Sequence, residues 1–226
     1  LDANGARERE PALSTEVGGG VSFPGDARID PPQLLAGLRI AAERSGARFQ
    51  SGSFVRRVWT EGGRARGVTL EDGTNLEAGA VVLAAGSWSS LVEGAPLPAG
   101  SVKPARGQIV ELQTPVPILR SVVFGPGCYL SPRDDGRLLI GSTLEFVGFQ
   151  PGVTAGAVKD LLTAAIRLVP ALADASLART WSSFRPYTAD ELPLIGETEV
   201  ACLYLAPGHY RNGILLAPIT LSLIHI

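Results

Sequence analysis

The sequence predicts a mixed α/β (α+β) fold in which a sheet covered on both faces is interleaved in the chain with an antiparallel-sheet domain. Three observations carry this reading. Apolar runs ending in small residues, AGAVVLAAG near residue 80 and CLYLAPG near residue 205, have the near-continuous hydrophobicity of strands buried on both faces. Between them, from Ser101 to Gly148, alternating segments are cut by Pro, Gly and DDG turn signals, the pattern of an antiparallel sheet. Two stretches, after Pro31 and Thr154, place apolar residues at helical spacing.

Composition narrows the possible partners. The chain has 226 residues and 45% hydrophobic content, enough to bury a core in one or two domains. A formal charge of -2 leaves no basic field for nucleic acid or an anionic membrane, so a small molecule is the expected partner. Cys128 and Cys202 lack metal-ligand or CxxC spacing and are expected to be buried thiols in a reducing cytoplasm. No signal-peptide pattern and no apolar run of about 18 residues is present, so the expected location is cytoplasmic, away from the membrane.

In chain order, Pro31 and Pro32 open an amphipathic helix that Gly46 stops. Extended pieces at 54–59, 66–70 and 75–76, joined by EGG and EDG, read as a small β-meander. The strand AGAVVLAAG follows, then GQIVEL, SVVF, CYLSPR and RLLIGST. Residues 154–168 form a helix ending before Pro170, followed by the strand ARTWSSFRP. The chain returns through LPLIGE and CLYLAPG to a helix opening at Asn212. The opening LDANGARERE and the closing LSLIHI read as interrupted patterns; residues 221–226 are expected to be a non-native tail, and His225 is assigned no function.

The segment LYLAPGHYRNGILLAPIT is the strongest functional signal. A strand feeds a glycine-containing turn whose Asn212 and Gly213 open a helix, which aims backbone N–H groups and a positive dipole end at one point. An anion or an electron-rich ring edge can be held there, although an ordinary strand-to-helix connection has the same spacing.

GHYRNGILLAP and FRPYTADELPLIG, with PARGQIVEL, GCYLSPR and VVLAAGSWS falling between or before them in order, resemble the D-amino-acid oxidase and glycine oxidase group of FAD-dependent oxidoreductases, most closely the glycine oxidases of thiamine biosynthesis. The resemblance covers residues 24–220. It implies a truncated FAD-binding Rossmann-like domain lacking its N-terminal βαβ unit, interleaved with an antiparallel-sheet substrate domain. The FAD-binding portions would be 24–95 and 192–220, and the substrate domain 1–23 and 96–191. No GxGxxG occurs in the 226 residues, so the grip on the FAD pyrophosphate is expected to lie outside them.

The resemblance also implies roles for single residues. Arg185 in FRP would bind the substrate carboxylate, for which a planar guanidinium offers two parallel hydrogen bonds. Tyr129 in GCYLSPR would help hold or cover that carboxylate. Arg211 would lie beside the flavin and stabilise electron density arriving there, which makes Arg185, Tyr129 and Arg211 the expected catalytic residues. Val55, Gly86, His209, Tyr210, Arg211, Asn212, Gly213, Ile214 and Leu215 would contact FAD. His209 is read as a structural or cofactor contact and not as a general base. Gly127 departs from the family pattern, which has a histidine there, and implies a roomier substrate pocket. Asp134, Asp135, Asp190 and Glu191 read as solvated or turn-forming, and no metal is expected.

The implied reaction is oxidative deamination of glycine or a small amino acid, with dioxygen as the second substrate and a 2-oxo acid, ammonia and hydrogen peroxide as products. A homo-oligomer remains open. Two rival readings share the motifs: a dehydrogenase acting on sarcosine, proline or D-amino acids through an electron carrier, and a non-catalytic fragment that binds no flavin.

Overall fold

Helix starts are set by short polar side chains. Asp2 accepts from the Gly5 amide at 2.8 Å and opens α1 (Ala3–Arg9). Asp30 accepts from Gln33 at 3.2 Å and opens α2 (Pro31–Arg44). In this computed structural model, which describes residues 1–224, the strands β1 (Val55–Glu61), β2 (Arg64–Leu70) and β3 (Asn75–Glu77) follow, then β4 (Val81–Leu83). The middle of the chain forms β5 (Lys103–Gln113), β6 (Val123–Gly125), β7 (Cys128–Pro132) and β8 (Arg137–Gly141). Helix α3 (Ala155–Leu168) is capped by Thr154 and followed by β9 (Ser176–Tyr187). β10 (Gly196–Glu197), β11 (Leu203–Leu205) and α4 (Gly213–Leu223) close it. Every helix and strand expected from the sequence is present, and α1 is added. Two of the six residues of the LSLIHI segment beyond the expected boundary, His225 and Ile226, lie outside the described residues; Leu221–Leu223 continue α4.

The chain divides into two compact units. The first comprises Leu1–Phe49, Gly107–Leu144 and Pro151–Ser183, and the second Gln50–Arg106, Glu145–Gln150 and Phe184–Ile226. The sequence boundaries at 24, 96 and 192 fall elsewhere: residues 24–49 lie in the first unit, and residues 96–106, 145–150 and 184–191 in the second.

In the first unit, β7 and β8 form an antiparallel hairpin through the DDG turn, and β8 pairs with β5. One face of this sheet buries Val110, Leu112, Leu130, Leu138 and Ile140 against Leu161 and Ala165 of α3. Leu161 and Ala165 are four residues apart, on one helical face. Buried polar groups tie the loops to this core. Glu10 accepts from the amides of Arg120 and Ser121 at 2.9 and 2.7 Å and from the Ser121 hydroxyl. Gln108 Oε1 accepts from the Thr154 amide at 2.7 Å, fixing the start of α3. Glu111, nearly inaccessible, takes a bidentate pair from Arg179 at 3.0 Å on both oxygens. Asp134 is not only solvated as expected: it pairs with Arg28.

In the second unit, β1, β2 and β3 form the expected meander. Gly67 has φ +150°, and a Cβ there would fall 1.9 Å from the Leu76 carbonyl, so only glycine lets β3 approach β2. A second sheet has the order β10-β11-β4, with β11 parallel to β4 and Leu205 opposite Leu83. Cys128 is buried, and burial pushes its thiol up to about 11; Cys202 is only half-buried, at φ +62° in the turn before β11. Among the described residues no helix is long and apolar enough to cross a membrane, and no cluster of His, Cys, Asp and Glu is arranged for a metal.

Ile140 is fully buried in the first unit's core, whereas Phe124 is 75% exposed. Ile140→Ala is expected to destabilise the folded protein by about 2–5 kcal/mol, and Phe124→Ala by well under about 1 kcal/mol. Urea unfolding midpoints of the two variants check the contrast, and equal losses would refute the assignment of the core.

Candidate functional site

All the residues expected to contact a cofactor, together with Arg185 and Arg211, fall in the second unit. Their placement follows from two parallel strands. β4 and β11 run side by side in the same direction, so Gly86 and the turn after Leu205 leave the sheet from the same carboxyl edge. The amide of Ala206 continues the ladder, donating to the Leu83 carbonyl at 3.0 Å. The carboxyl edge of parallel strands is where such sheets hold ligands.

Each element at that edge has a local cause. Gly86, at φ +53°, starts a 3-10 turn directly after β4. The neighbouring Ser87 hydroxyl is buried and, among the described residues, has no hydrogen-bond partner. Gly208, at φ +86°, sits so close to Thr188 that a Cβ would meet its methyl at 2.8 Å. Asn212 precedes α4, and its own side chain makes no capping hydrogen bond to that helix start. Val55 begins β1 and pairs with Leu70, with its side chain partly buried.

The two motif segments form one packed assembly. The Tyr210 amide donates to the Pro186 carbonyl at 3.0 Å, and Leu194 donates to the Pro207 carbonyl at 3.0 Å. Thr188 Oγ1 donates to the Leu192 carbonyl at 2.7 Å and holds the loop after β9 closed. Tyr210 is buried and has φ +48°, a conformation that costs a non-glycine residue energy and persists where surroundings fix it. Its ring carries Arg211, whose guanidinium lies 5.1 Å over the ring centroid and donates to the Tyr210 hydroxyl at 3.2 Å. Arg185, partly buried on β9, thus leaves the strand one residue before the carbonyl that receives Tyr210.

His209 is tied to helix α4. Its Nε2 lies 2.8 Å from Thr220 Oγ1, while the Thr220 hydroxyl donates to the Leu216 carbonyl at 2.9 Å. With that proton committed, His209 carries the hydrogen on Nε2 and donates. Burial holds its pKa below the ordinary histidine value. Its ring is therefore engaged as a structural contact between turn and helix.

Tyr129 lies in the first unit, opposite Gly141 across the β7–β8 ladder. A Cβ on Gly141 would come 2.4 Å from the Tyr129 hydroxyl, so glycine lets the ring lie flat over the neighbouring strand. Gly127 sits in the hairpin before β7 at φ +84°, and a Cβ there would approach that of Ala164 to 3.3 Å. Glycine at this position also suits the left-handed backbone of the hairpin. A concavity of about 1150 Å³ in the same unit, lined among others by Glu10, Arg120, Phe124 and Arg167, includes none of the expected site residues.

Sequence reasoning missed Phe146 and Tyr187. Phe146 meets Tyr187 edge-on at 4.9 Å, and Tyr187 meets Tyr210 at 5.2 Å. Strand alternation could have found Tyr187, which stands two residues after Arg185 and shares its face of β9; nothing local could have found Phe146.

Comparison with known proteins gives a consistent result. Residues 1–221 match the family described as FAD dependent oxidoreductase. The bifunctional protein ThiO/ThiG of Synechocystis sp. is 42% identical over 99% of this chain, which covers 34% of that relative. Glycine oxidase of Geobacillus kaustophilus is 39% identical over 95% of this chain and 57% of its own length. The crystal structure of a glycine oxidase from the same organism superposes with a TM-score of 0.89 and 38% identity, covering 99% of this chain and 60% of that one. The chain therefore spans between about a third and three fifths of these proteins.

The His209 geometry predicts an acid-sensitive turn. Because the folded protein holds this imidazole's pKa below the ordinary value, the unfolded chain takes up the proton first as pH falls through about 6.5. The stability it contributes is complete above that pH and is lost on acidification. Melting temperatures between about pH 7 and 5 should fall less steeply for His209→Gln than for the parent, and superimposable profiles would refute the role.

Proposed function

The chain belongs to the FAD dependent oxidoreductase family, and from that premise we propose that it supplies the substrate-binding and flavin-closing part of an amino-acid oxidase of the glycine oxidase type. The reaction is oxidative deamination of glycine or a small amino acid to the 2-oxo acid, ammonia and hydrogen peroxide, and it serves thiamine thiazole synthesis. The carrying observation is the hydrogen bond from Tyr210 to Pro186, which joins the GHYRNG turn to the strand end that bears Arg185.

The residues present fit the cofactor. A closely approached glycine, a helix start that the Asn212 side chain does not cap and a buried Ser87 hydroxyl with no partner among the described residues follow the carboxyl edge of parallel strands. Val55, Gly86 and residues 209–215 would hold FAD there. When bound, FAD would supply the two-electron oxidation of the substrate amine and the route of those electrons to dioxygen.

The protein's own contribution is placement and charge. Arg185 binds the substrate carboxylate through two parallel hydrogen bonds and so fixes which face of the α-carbon is presented. The family resemblance adds the Tyr129 hydroxyl as a further carboxylate contact. Arg211, pinned on Tyr210, offers a positive charge whose position needs no rearrangement as electron density builds nearby. His209, whose Nε2 is engaged by Thr220, is read as a structural or cofactor contact and not as a general base. No acid/base side chain is required where the amine binds neutral.

Arg185 is tested in the full-length, flavin-loaded enzyme. Arg185→Lys keeps the charge but removes the paired geometry, so KM for glycine should rise ~10- to 100-fold at normal flavin content. Peroxide release and the flavin absorbance ratio are the readouts; loss of flavin would make Arg185 a cofactor residue instead. The 226-residue chain by itself, having no GxGxxG, should bind FAD only weakly. Stoichiometric flavin co-purifying with it would overturn that expectation.

A further inference from the structure

We infer that Phe146 and Tyr187 form an aromatic wall beside Arg185 that receives an apolar, preferably aromatic, substituent of a carboxylate-bearing substrate. The inference rests on the reading of Arg185 as the carboxylate anchor and extends it to the rest of the substrate.

The wall is built from three separate segments. Tyr187 projects from the same face of β9 as Arg185, with their α-carbons roughly 7 Å apart along the strand. Its ring is clamped edge-on between Phe146 at 4.9 Å and Tyr210 at 5.2 Å, with interplanar angles of 69° and 80°. Edge-to-face contacts of this kind fix ring orientation. Tyr210 in turn carries Arg211, so the row Phe146, Tyr187, Tyr210 ends on a guanidinium.

Exposure increases along the row. Tyr210 is 7% exposed, Tyr187 is half-buried and Phe146 is 57% exposed. Looseness of its segment does not account for the exposure of Phe146. Arg106, itself buried, pairs with Glu145 at 2.5 Å and donates to the Gln150 carbonyl at 3.1 Å, so both ends of segment 145–150 are held by one side chain. Backbone bonds between Arg106 and Glu145 at 2.8 and 3.0 Å fix the same segment to β5. Phe149, three residues on, stacks on Trp88 at 5.4 Å and meets Phe184 at 5.6 Å, which anchors the far side.

A rigid, partly open aromatic surface next to a carboxylate anchor suits a two-point ligand. The charged end takes Arg185, and an apolar group two or three bonds away lies against Tyr187 and Phe146. Glycine uses only the first point. N-alkyl glycines or D-amino acids with an apolar side chain use both, and gain the affinity that burying that group provides.

The probes are acetate and phenylacetate, which carry the anchor with and without the apolar group and cannot be turned over as amines. Their dissociation constants are measured by calorimetry on the full-length, flavin-loaded enzyme and on its Phe146→Ala, Tyr187→Leu and Arg185→Lys variants. The expected result is that phenylacetate binds at least roughly tenfold tighter than acetate, and that Phe146→Ala and Tyr187→Leu each cut that ratio several-fold. Phe146, being the more exposed, carries the test if Tyr187→Leu fails to fold. Equal affinities in the parent, or a ratio that survives both substitutions, would overturn the wall while leaving Arg185 as the anchor. Acetate binding that is absent, or unchanged in Arg185→Lys, would instead remove the anchor and the wall together.

Discussion

The hydrogen bond from the Tyr210 amide to the Pro186 carbonyl is the constraint on which the site depends. Proline at 186 has no N–H to give, but its carbonyl remains free to receive the turn. Closing that bond requires Tyr210 to adopt φ +48° and requires a glycine at 208, where Thr188 leaves no space for a Cβ. The strain is held because Tyr210 is buried and its ring is used twice, under Arg211 and against Tyr187. A relaxed turn would release Arg211 from its ring and separate the GHYRNG turn from the strand end that carries Arg185.

Both units solve the same problem of keeping irregular segments in register, and both use buried polar side chains. In the first unit Glu10 gathers two amides and a hydroxyl from the 120–121 loop, and Gln108 fixes the start of α3. In the second, Arg106 grips both ends of segment 145–150. A buried charge or amide is costly unless its bonds are satisfied, so each of these contacts holds one arrangement strictly. Such ties contribute more to uniqueness of structure than to total stability, which comes from cores such as the face of Val110, Leu130, Leu138 and Ile140.

Much of the fold was legible because it is local. Pro31-Pro32, the EGG and EDG turns, the DDG hairpin and the stop before Pro170 each act over a few residues, and each appears where the sequence puts it. Helix α1 was not legible, since ANGARER has no apolar face and owes its start to Asp2 and its end to Glu10, which is drawn to a loop more than a hundred residues away. At Gly127 the fold adds what the sequence does not show: the residue sits at φ +84° in a hairpin, a conformation that favours glycine.

The sequence alone determined the family-bearing motifs, the element order from α2 onward and the candidates Arg185, Arg211 and the 208–213 turn, because each is encoded in contiguous residues whose chemistry is intrinsic. Tertiary structure alone decided that these segments meet, that His209 is consumed by Thr220, and that Phe146 lies against Tyr187 two residues from Arg185 on its own strand face. The last of these brings residues some forty positions apart to a ring separation of 4.9 Å. No local propensity encodes that approach; only burial of the intervening chain and the satisfaction of its polar groups selects it.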